Sequence, residues 1–323
     1  MAATSAKLFP PGIHVPSLTF FRDDARQEIY WEVQEKHIEF LISSGLHGIV
    51  LAGTNGEAIS LTVAEKCELV RRARQIARKL NRPGIPLTLG CSAPCTRDVI
   101  DLTIEAEKAG ADFALILMSS FFHFAVNNEQ AIINFYTEVA DASPIPVVIY
   151  NYPGVTAGID IGSDIIDVLG KHPNIVGVKF TCGSVAKVAR AAAAFPPEQF
   201  SALAGQGDWL IPAMTVGGQG CVTGLANLYP RTCVELFELY RAGEVTEAQS
   251  LQLQVAASEL GLGKGGINGT KWVVCKLRGY PDSSTACRRP YPLFTDKAKQ
   301  DVIMSKMLLL QDVETRLAND GKA

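Results

Sequence analysis

Lys179 is the residue of this sequence whose type and position point most directly to chemistry. It lies near the end of the apolar, β-branched run Asn174–Thr181. Burying an ammonium group without a partner costs free energy, and a buried amine tends to lose its proton instead. A neutral lysine amine is a nucleophile that forms a Schiff base with a ketone. The sequence therefore predicts nucleophilic chemistry at Lys179, against the alternative of a solvated lysine at a strand end.

Two other segments carry groups that could act together with such an amine. Tyr150 ends the preceding apolar run, and a phenol can transfer protons as a general acid or base. The loop Gly53–Glu57, which reads Gly-Thr-Asn-Gly-Glu, follows an earlier run. Its glycines let backbone N–H groups converge, and Thr54 and Asn55 add side-chain donors, so the loop could hold a carboxylate. Taken alone, the loop could equally be an ordinary turn, and Tyr150 a core residue.

Strands that alternate with helices must position these residues. The candidate strands are Val15–Phe20, His47–Ala52, Pro86–Gly90, Phe113–Leu117, Pro146–Tyr150, Ile175–Phe180, Phe200–Ala204 and Gly220–Thr223. The candidate helices between them are Arg26–Ser43, Ala64–Leu80, Arg97–Ala109, Asn128–Ala142, Ser163–Leu169, Ser184–Ala194, Asp208–Val216 and Pro230–Ala242. Eight such units predict a parallel (β/α)8 barrel of the TIM type. A doubly wound open sheet is the alternative, but no GxGxxG follows the first strand.

Only helical patterns follow Gly243. They cover Thr246–Leu260, Gly269–Leu277 and Thr295–Leu317, and the glycine-rich segment Gly261–Gly266 is predicted to interrupt the first two. Capping boxes are predicted for Thr62 with Glu65 and for Thr246 with Gln249. We therefore predict a (β/α)8 catalytic barrel over residues 12–242 and a C-terminal helical region over residues 243–323.

The carboxyl ends of barrel strands are where catalytic groups lie in this architecture. Alternation places Lys179 on one face of its strand with Gly177 and Ile175, and Tyr150 on one face with Val148. Because the fifth and sixth strands are sequential, we expect them to pair, so that the phenol and the amine can meet. The loops after the seventh and eighth strands reach the same mouth. His123 lies in a loop near it and is a candidate for substrate contact, whereas His37 is predicted to be structural.

The composition excludes several other classes of function. A net charge of −3 and a pI of about 6.0 give no basic surface for nucleic acid. No stretch approaches the roughly 18 apolar residues of a membrane span. The eight cysteines include no CxxC pair, which argues against a zinc site and is typical of reduced thiols. The segment before the first predicted strand is short for a transit peptide, so we expect a cytoplasmic protein.

Three ordered motifs resemble those of the dihydrodipicolinate synthase / N-acetylneuraminate lyase family. The loop Gly53–Glu57 resembles its GTTGE or GTNGE loop, the segment Tyr150–Pro153 its YNxP motif, and Gly177–Lys179 its G-[IV]-K segment. The resemblance spans residues 12–310. It implies class I aldolase chemistry, in which Lys179 attacks the C2 ketone of a pyruvate-like 2-oxo acid and Tyr150 transfers protons. The substrate contacts that go with it are Gly53, Thr54, Asn55, Thr181, Gly205 and Val222.

The resemblance also bears on cofactors and assembly. The iminium acts as the electron sink, so the resemblance implies that neither a metal nor an organic cofactor is needed. Members of the family are commonly tetramers, so the resemblance implies a homo-oligomer. The expected partner is a small 2-oxo acid, with neither nucleic acid nor a membrane involved.

Two positions depart from the lysine-biosynthetic branch of that family. Val155 stands where the synthases have an arginine, and Phe122 lies in the segment where they have a tyrosine that reaches a neighbouring subunit. The YNYP form is similar to 2-keto-3-deoxy sugar-acid aldolases, above all to fungal L-threo-3-deoxy-hexulosonate aldolase of galacturonate breakdown, which yields pyruvate and L-glyceraldehyde. Three alternatives stay open: a 4-hydroxy-2-oxoglutarate aldolase, a sugar-diacid dehydratase, and a barrel that binds 2-oxo acids without turnover.

Overall fold

Eight parallel strands close into a barrel in the computed structural model, which describes residues 7–321. Neighbours in sequence pair, and the eighth strand pairs with the first. The strands are β1 Gly12–Pro16, β2 Gly48–Leu51, β3 Leu87–Gly90, β4 Phe113–Leu117, β5 Val147–Asn151, β6 Ile175–Phe180, β7 Ser201–Ala204 and β8 Gly220–Val222. The predicted (β/α)8 barrel is thus confirmed.

Helices follow the strands and cover the barrel. They are α1 Trp31–Ser43, α2 Val63–Lys79, α3 Thr96–Ala109, α4 His123–Val126, α5 Glu129–Ala142, α6 Ser163–Leu169, α7 Val185–Ala194, α8 Leu210–Thr215, α9 Pro230–Arg241, α10 Val245–Arg278, α11 Lys297–Met307 and α12 Gln311–Asn319. The last two residues of the predicted C-terminal region lie outside the described residues. From Lys7 to Gly321, no helix combines the length and apolar character needed to cross a bilayer.

Two apolar clusters make up the core. The larger one fills the layer between strands and helices, and the smaller one fills the inside of the barrel. Phe9 belongs to the inner cluster, and its ring centroid lies 4.9 Å from that of Phe113. Its carbonyl accepts a hydrogen bond of 2.7 Å from Ser201 Oγ. Since Phe113 and Ser201 begin β4 and β7, the Phe9 ring closes the amino end of the barrel.

The first strand ends earlier than its sequence pattern indicates. β1 stops at Pro16, whereas the apolar alternation predicted a strand over Val15–Phe20. The backbone N–H of Phe20 donates to Gln34 Oε1 of α1 at 3.0 Å. Because a side chain takes the donor that a sheet neighbour would need, the chain leaves the barrel after Pro16 and turns toward α1.

The first helix begins later than predicted, at Trp31 instead of Arg26. Asp24 Oδ1 accepts hydrogen bonds from the backbone N–H groups of Arg26 and Gln27, at 2.9 and 2.7 Å. Gln27 also has a positive φ of 48°, which no α-helix allows. The segment is therefore an Asx-type turn that precedes the helix.

Helix α10, Val245–Arg278, consists of two helical parts that meet at a kink inside the segment Gly261–Gly266, where a break was predicted. Gly266 alone departs from helical geometry, at φ 58° and ψ −160°. Two of the other glycines, Gly261 and Gly265, pack closely against α11. A Cβ atom on Gly265 would lie 2.4 Å from Ile303 Cδ1. The predicted interruption is therefore confirmed at Gly266, and Gly261 and Gly265 serve helix contact in addition.

The remaining predictions concern helix ends, and only one of them is confirmed. The capping box at α2 is confirmed, since Glu65 N donates to Thr62 Oγ1 at 3.2 Å and Thr62 N donates to Glu65 Oε2 at 2.9 Å. The capping box of Thr246 and Gln249 is wrong, because α10 begins one residue before Thr246. The predicted helix Thr295–Leu317 is in fact two helices, α11 and α12, joined by a 3₁₀ turn.

Candidate active site

Tyr150 and Lys179 are direct neighbours in the pairing of β5 with β6. Each side chain is largely buried, with 4% of its residue surface exposed. The Lys179 amine lies 4.0 Å from the centroid of the Tyr150 ring, within the range of a cation–π contact. The structure thus brings the predicted nucleophile and the predicted acid/base group together at the carboxyl end of the barrel.

The inner face of β6 differs from the simple alternation. Val176 packs into the inner cluster beside Val148 and Tyr150, whereas Ile175 joins the outer core. The prediction that Ile175 shares the face of Lys179 is therefore wrong. The physical reason is a register shift between β5 and β6 near Val148, which turns the first residues of the strand over. Tyr150 and Val148 share the inner face as predicted.

The loop after β2 reaches the Tyr150 phenol. Thr54 Oγ1 and the Tyr150 hydroxyl lie 3.2 Å apart, and either can donate. The loop is a tight turn, since Glu57 N donates to Thr54 O at 3.0 Å and Ala58 N to Gly53 O at 3.2 Å. The Tyr150 hydroxyl is thus paired with Thr54, while the Tyr150 ring contacts the Lys179 amine. The Tyr150 hydroxyl is the group of this set that could act as acid or base on a molecule bound at the amine.

Glu57 fixes this loop from below through a buried ion pair. Its carboxylate pairs with the Lys271 ammonium of α10, and both side chains are fully buried. The second carboxylate oxygen accepts from the backbone N–H of Arg288 at 2.8 Å. Lys271 donates in addition to the carbonyl of Ala286 at 3.1 Å and lies 4.5 Å from the Phe21 ring centroid. The C-terminal helical region is thus part of the support of the candidate carboxylate loop.

The loops after β6 and β7 meet at Thr181 and Gly205. A Cβ atom on Gly205 would lie only 2.1 Å from Thr181 Oγ1, so this close approach requires glycine. Among the residues that the structure describes, three buried polar atoms nearby have no hydrogen-bond partner: Thr181 Oγ1, Asp208 Oδ1 and Trp209 Nε1. Val222 on β8 is buried in the inner cluster and gives the site an apolar wall. The mouth therefore has unpaired polar groups on the β6–β7 side.

Two side chains of α10 reach into the loops after β7 and β8. Glu259 accepts from Gly207 N at 2.6 Å and from Thr223 Oγ1 at 2.9 Å. Burial, together with the nearby Asp208 carboxylate, raises the pKa of Glu259 to about 7. Gln252 donates from Nε2 to Gly207 O at 2.9 Å. Between Lys7 and Gly321 no three His, Cys, Asp or Glu side chains are grouped so as to hold a metal ion.

These supporting residues were missed at the sequence level. Glu259 follows Val255 and precedes Leu262 at helical spacing, so it lies on the apolar face of α10. A charged residue on such a face was the signal available, since a buried charge needs a partner. Lys271 gave the same signal beside Val274. The partners themselves lie far away in sequence and could not be identified from helical spacing.

The other sequence candidates lie at the rim or in the core. His123 is exposed at the start of α4, and Phe122 and Val155 are 61% and 40% exposed. His37 is buried and lies 3.1 Å from the Tyr280 hydroxyl, and burial lowers its pKa to about 4. Its predicted structural role is confirmed.

Comparison with known proteins gives consistent matches. The sequence model of the Dihydrodipicolinate synthetase family matches residues 11–307. A Coccidioides immitis protein named as a mitochondrial 4-hydroxy-2-oxoglutarate aldolase is 40% identical over 299 residues, covering 90% of this chain and 93% of that protein. L-threo-3-deoxy-hexylosonate aldolase of Aspergillus niger is 36% identical over 292 residues, covering 84% and 87%. The crystal structure of a dihydrodipicolinate synthase family protein from Coccidioides immitis has a TM-score of 0.86 at 36% identity, covering 97% of this chain and 99% of that chain.

Proposed function

Because the chain belongs to the dihydrodipicolinate synthetase family, we propose that it is a class I aldolase that cleaves a 2-keto-3-deoxy sugar acid to pyruvate and an aldehyde. The proposed substrate is L-threo-3-deoxy-hexulosonate of galacturonate breakdown, and the aldehyde is then L-glyceraldehyde. The observation that carries the proposal is the buried contact of the Lys179 amine with the Tyr150 ring, at 4.0 Å. A buried amine beside a phenol is the pair that Schiff-base chemistry needs.

In the proposed mechanism, Lys179 Nζ adds to the C2 carbonyl, and the carbinolamine loses water to give an iminium. The C4 hydroxyl then loses its proton, the C3–C4 bond breaks, and the electron pair moves into the iminium to give an enamine. The aldehyde leaves, C3 takes up a proton, and water releases pyruvate from Lys179. Tyr150 carries the protons of these steps, and its hydroxyl is supported by Thr54 Oγ1 at 3.2 Å.

The loop after β2 is the proposed binding site for the substrate carboxylate. The backbone N–H groups that begin at Gly53 and the side chains of Thr54 and Asn55 are the donors. The site lies beside Tyr150, because Thr54 contacts its hydroxyl. Carboxylate, ketone and acid/base group are then aligned along one side of the barrel mouth.

The opposite side of the mouth supports a polyhydroxy aldehyde end. The loops after β6, β7 and β8 contain no Lys or Arg up to the next helix. They offer Thr181 and Asp208, whose buried oxygens can bond hydroxyl groups, and Gly205 and Val222, which leave room and an apolar wall. A second carboxylate would lack a cation here and would face the Asp208 carboxyl. These features favour a sugar-acid tail.

A second candidate is 4-hydroxy-2-oxoglutarate aldolase. The specific observation in its favour is the higher identity, 40% over 299 residues, with a relative of that name. The same C3–C4 bond would break, and the aldehyde would be glyoxylate, which keeps a carboxylate. The two candidates therefore differ only in the group that the loops after β6, β7 and β8 must accept.

A substrate panel with pyruvate and L-glyceraldehyde, D-glyceraldehyde, glyoxylate or aspartate semialdehyde tests both candidates. We expect condensation with L-glyceraldehyde to have the highest kcat/KM. Borohydride with pyruvate should attach a reduced adduct at Lys179, and the exposed-lysine variant Lys264→Ala should form it normally. An adduct in Lys179→Ala would show that the assignment is wrong. Loss of water without an aldehyde would indicate a dehydratase, and binding without any product a non-catalytic barrel.

Assembly and location are further parts of this proposal. We propose a homo-oligomer, with a tetramer as the form that the family resemblance implies. The exposed rings of Phe121, Phe122 and Phe124 at the mouth support association, since such patches mark contact surfaces. Light scattering after size-exclusion chromatography measures the mass. The cytoplasmic location stays a prediction. Because two fungal relatives are named mitochondrial, imaging a carboxyl-terminal fluorescent fusion beside a mitochondrial marker is the test.

A further inference from the structure

We propose that Glu259 and Gln252 of α10 are positioning residues that set the aldehyde end of the active site by holding the loops after β7 and β8. The inference rests on the proposed aldolase function. Neither residue is needed to form the Schiff base at Lys179. Their effect is on how the second half of the substrate is received.

Glu259 ties the two loops to each other. One carboxylate oxygen accepts from Gly207 N, in the loop after β7, at 2.6 Å, and the other accepts from Thr223 Oγ1, directly after β8, at 2.9 Å. Glu259 is buried, with 7% of its surface exposed. Hydrogen bonds to a buried carboxylate are short and strong, so the relative position of the loops is well defined.

Gln252 holds the same loop from a position about two helical turns before Glu259 on α10. Its Nε2 donates to Gly207 O at 2.9 Å, and its Oε1 accepts from Ile211 N, in the first turn of α8, at 2.9 Å. Both main-chain polar groups of Gly207 are therefore bonded to α10. A Cβ atom at Gly207 would lie 2.9 Å from Glu259 Oε2 and 3.1 Å from Thr223 Oγ1, so the fit leaves little space for a side chain.

The loops held in this way are the ones that meet the aldehyde. Gly205 lies two residues before Gly207, and Val222 directly precedes Thr223. Lys179 and Tyr150 hold the pyruvate half from β5 and β6, so the rest of the substrate extends toward β7 and β8. A shift of these loops would change the surroundings of the C4–C6 groups while the ketone end kept its contacts.

A purely structural role for Glu259 would have a different signature. Burying a carboxyl group costs free energy, and an apolar residue on this face of α10 would pack without that cost. The two partners of Glu259 given above both lie in the site loops. Loss of a structural residue would weaken all steps together, whereas loss of a positioning residue for one end separates the aldehyde KM from Schiff-base formation.

Three variants test the proposal: Glu259→Met, which removes both acceptors, Glu259→Gln, which keeps an acceptor for Gly207 N, and Ser258→Ala. Ser258 is the matched control, because it is buried on the same helix but bonds to Lys306 O of α11 at 2.9 Å. The assays are the KM for L-glyceraldehyde in condensation with pyruvate, and the rate of borohydride trapping with pyruvate alone. Glu259→Met should raise the aldehyde KM by about tenfold or more. Its trapping rate should stay within about twofold.

The conservative variant provides the rescue. Glu259→Gln should stay within about threefold of the wild-type aldehyde KM, and Ser258→Ala should match the wild type. A folded Glu259→Met variant with an unchanged aldehyde KM would overturn the proposal. So would an equal loss in trapping and in condensation.

Two further readouts keep the outcomes separate. If Glu259→Met does not fold, Gln252→Met decides, because it removes one bond to the same loop and one to the start of α8, and leaves Glu259 in place. A several-fold rise in its aldehyde KM supports the proposal, and no rise overturns it. A wild-type protein that pyruvate and borohydride do not label would instead contradict the proposed aldolase function.

Discussion

Replacing Lys271 by methionine is expected to destabilise the protein strongly. Methionine has a similar length and no charge, so it removes the ammonium and leaves the Glu57 carboxylate buried. Both side chains of the pair are fully buried, and the backbone N–H of Arg288 would be the remaining donor to the carboxylate in the contacts described above. Breaking one half of a buried ion pair costs about 3–5 kcal/mol. We expect the free energy of unfolding to fall by that amount.

Neutralising the carboxyl group in the same chain should recover much of the loss. In the double variant of Glu57→Gln with Lys271→Met, no uncompensated charge is buried, and the side-chain amide carbonyl introduced by Glu57→Gln can still accept from Arg288 N. The double-mutant cycle should therefore give a coupling energy of about 2 kcal/mol or more. Such a value would show that most of the single-variant loss comes from an unpaired charge and little from a cavity.

Urea unfolding followed by far-UV circular dichroism measures these free energies. Lys264→Met is the matched control, because Lys264 also lies in α10 but is exposed. It should change the free energy of unfolding by less than about 0.5 kcal/mol. The reasoning is refuted if Lys271→Met costs less than about 1 kcal/mol, or if the two substitutions are additive.

Three other predictions concern buried groups. Glu259 has a pKa of about 7 in the folded protein against an ordinary 4.5, so the folded state keeps a proton that the unfolded chain loses between these values. The free energy of unfolding should therefore fall by about 3 kcal/mol as the pH rises through that window. Glu259→Gln should abolish this fall in urea titrations at pH 5, 6 and 8. A variant with the wild-type slope would contradict this prediction. Phe9→Ala should lower the free energy of unfolding by about 3–5 kcal/mol in the same assay, whereas Leu8→Ala, at an exposed position, should change it little. Equal effects would argue against closure of the amino end of the barrel by the Phe9 ring. Tyr150→Phe keeps the ring beside Lys179 but removes the hydroxyl group. The kcat in the condensation assay should therefore fall by about 10²–10⁴-fold, while the urea midpoint stays unchanged. An undiminished kcat would show that Tyr150 takes no part in the mechanism.

Local sequence determined most of the barrel. The bounds of β4 and β6 were predicted as the structure has them, because β4 is a continuous apolar run, β6 is apolar apart from Gly177 and Lys179, and both are buried along nearly their whole length. Where distant side chains bind the backbone, the local pattern failed. The end of β1 depends on Gln34 of α1, and the close packing of Gly261 and Gly265 in α10 depends on α11. Neither contact can be predicted from the periodicity of the sequence.

In the candidate site, too, local sequence placed some residues correctly and failed where distant contacts decide. Tyr150 and Lys179 could be placed side by side because they end sequential strands that pair in this architecture. Ile175 was assigned to the wrong face because the register shift of β5 against β6 has no local signal. Glu57 was recognised as a loop residue, but its partner Lys271 lies 214 positions further along the chain. Such pairs become visible only in three dimensions.

The Phe9 ring, which closes the amino end of the barrel, limits how far the polypeptide can be shortened at its amino end. The ring precedes β1, yet it is 2% exposed and contacts Phe113 inside the barrel. A protease or an expression vector that removes residues 1–6 leaves this ring in place. A cut after Pro10 would admit water to the amino end of the inner cluster and leave the Ser201 hydroxyl without its carbonyl acceptor. Any maturation cleavage or affinity-tag junction that preserves the barrel must therefore lie before Phe9.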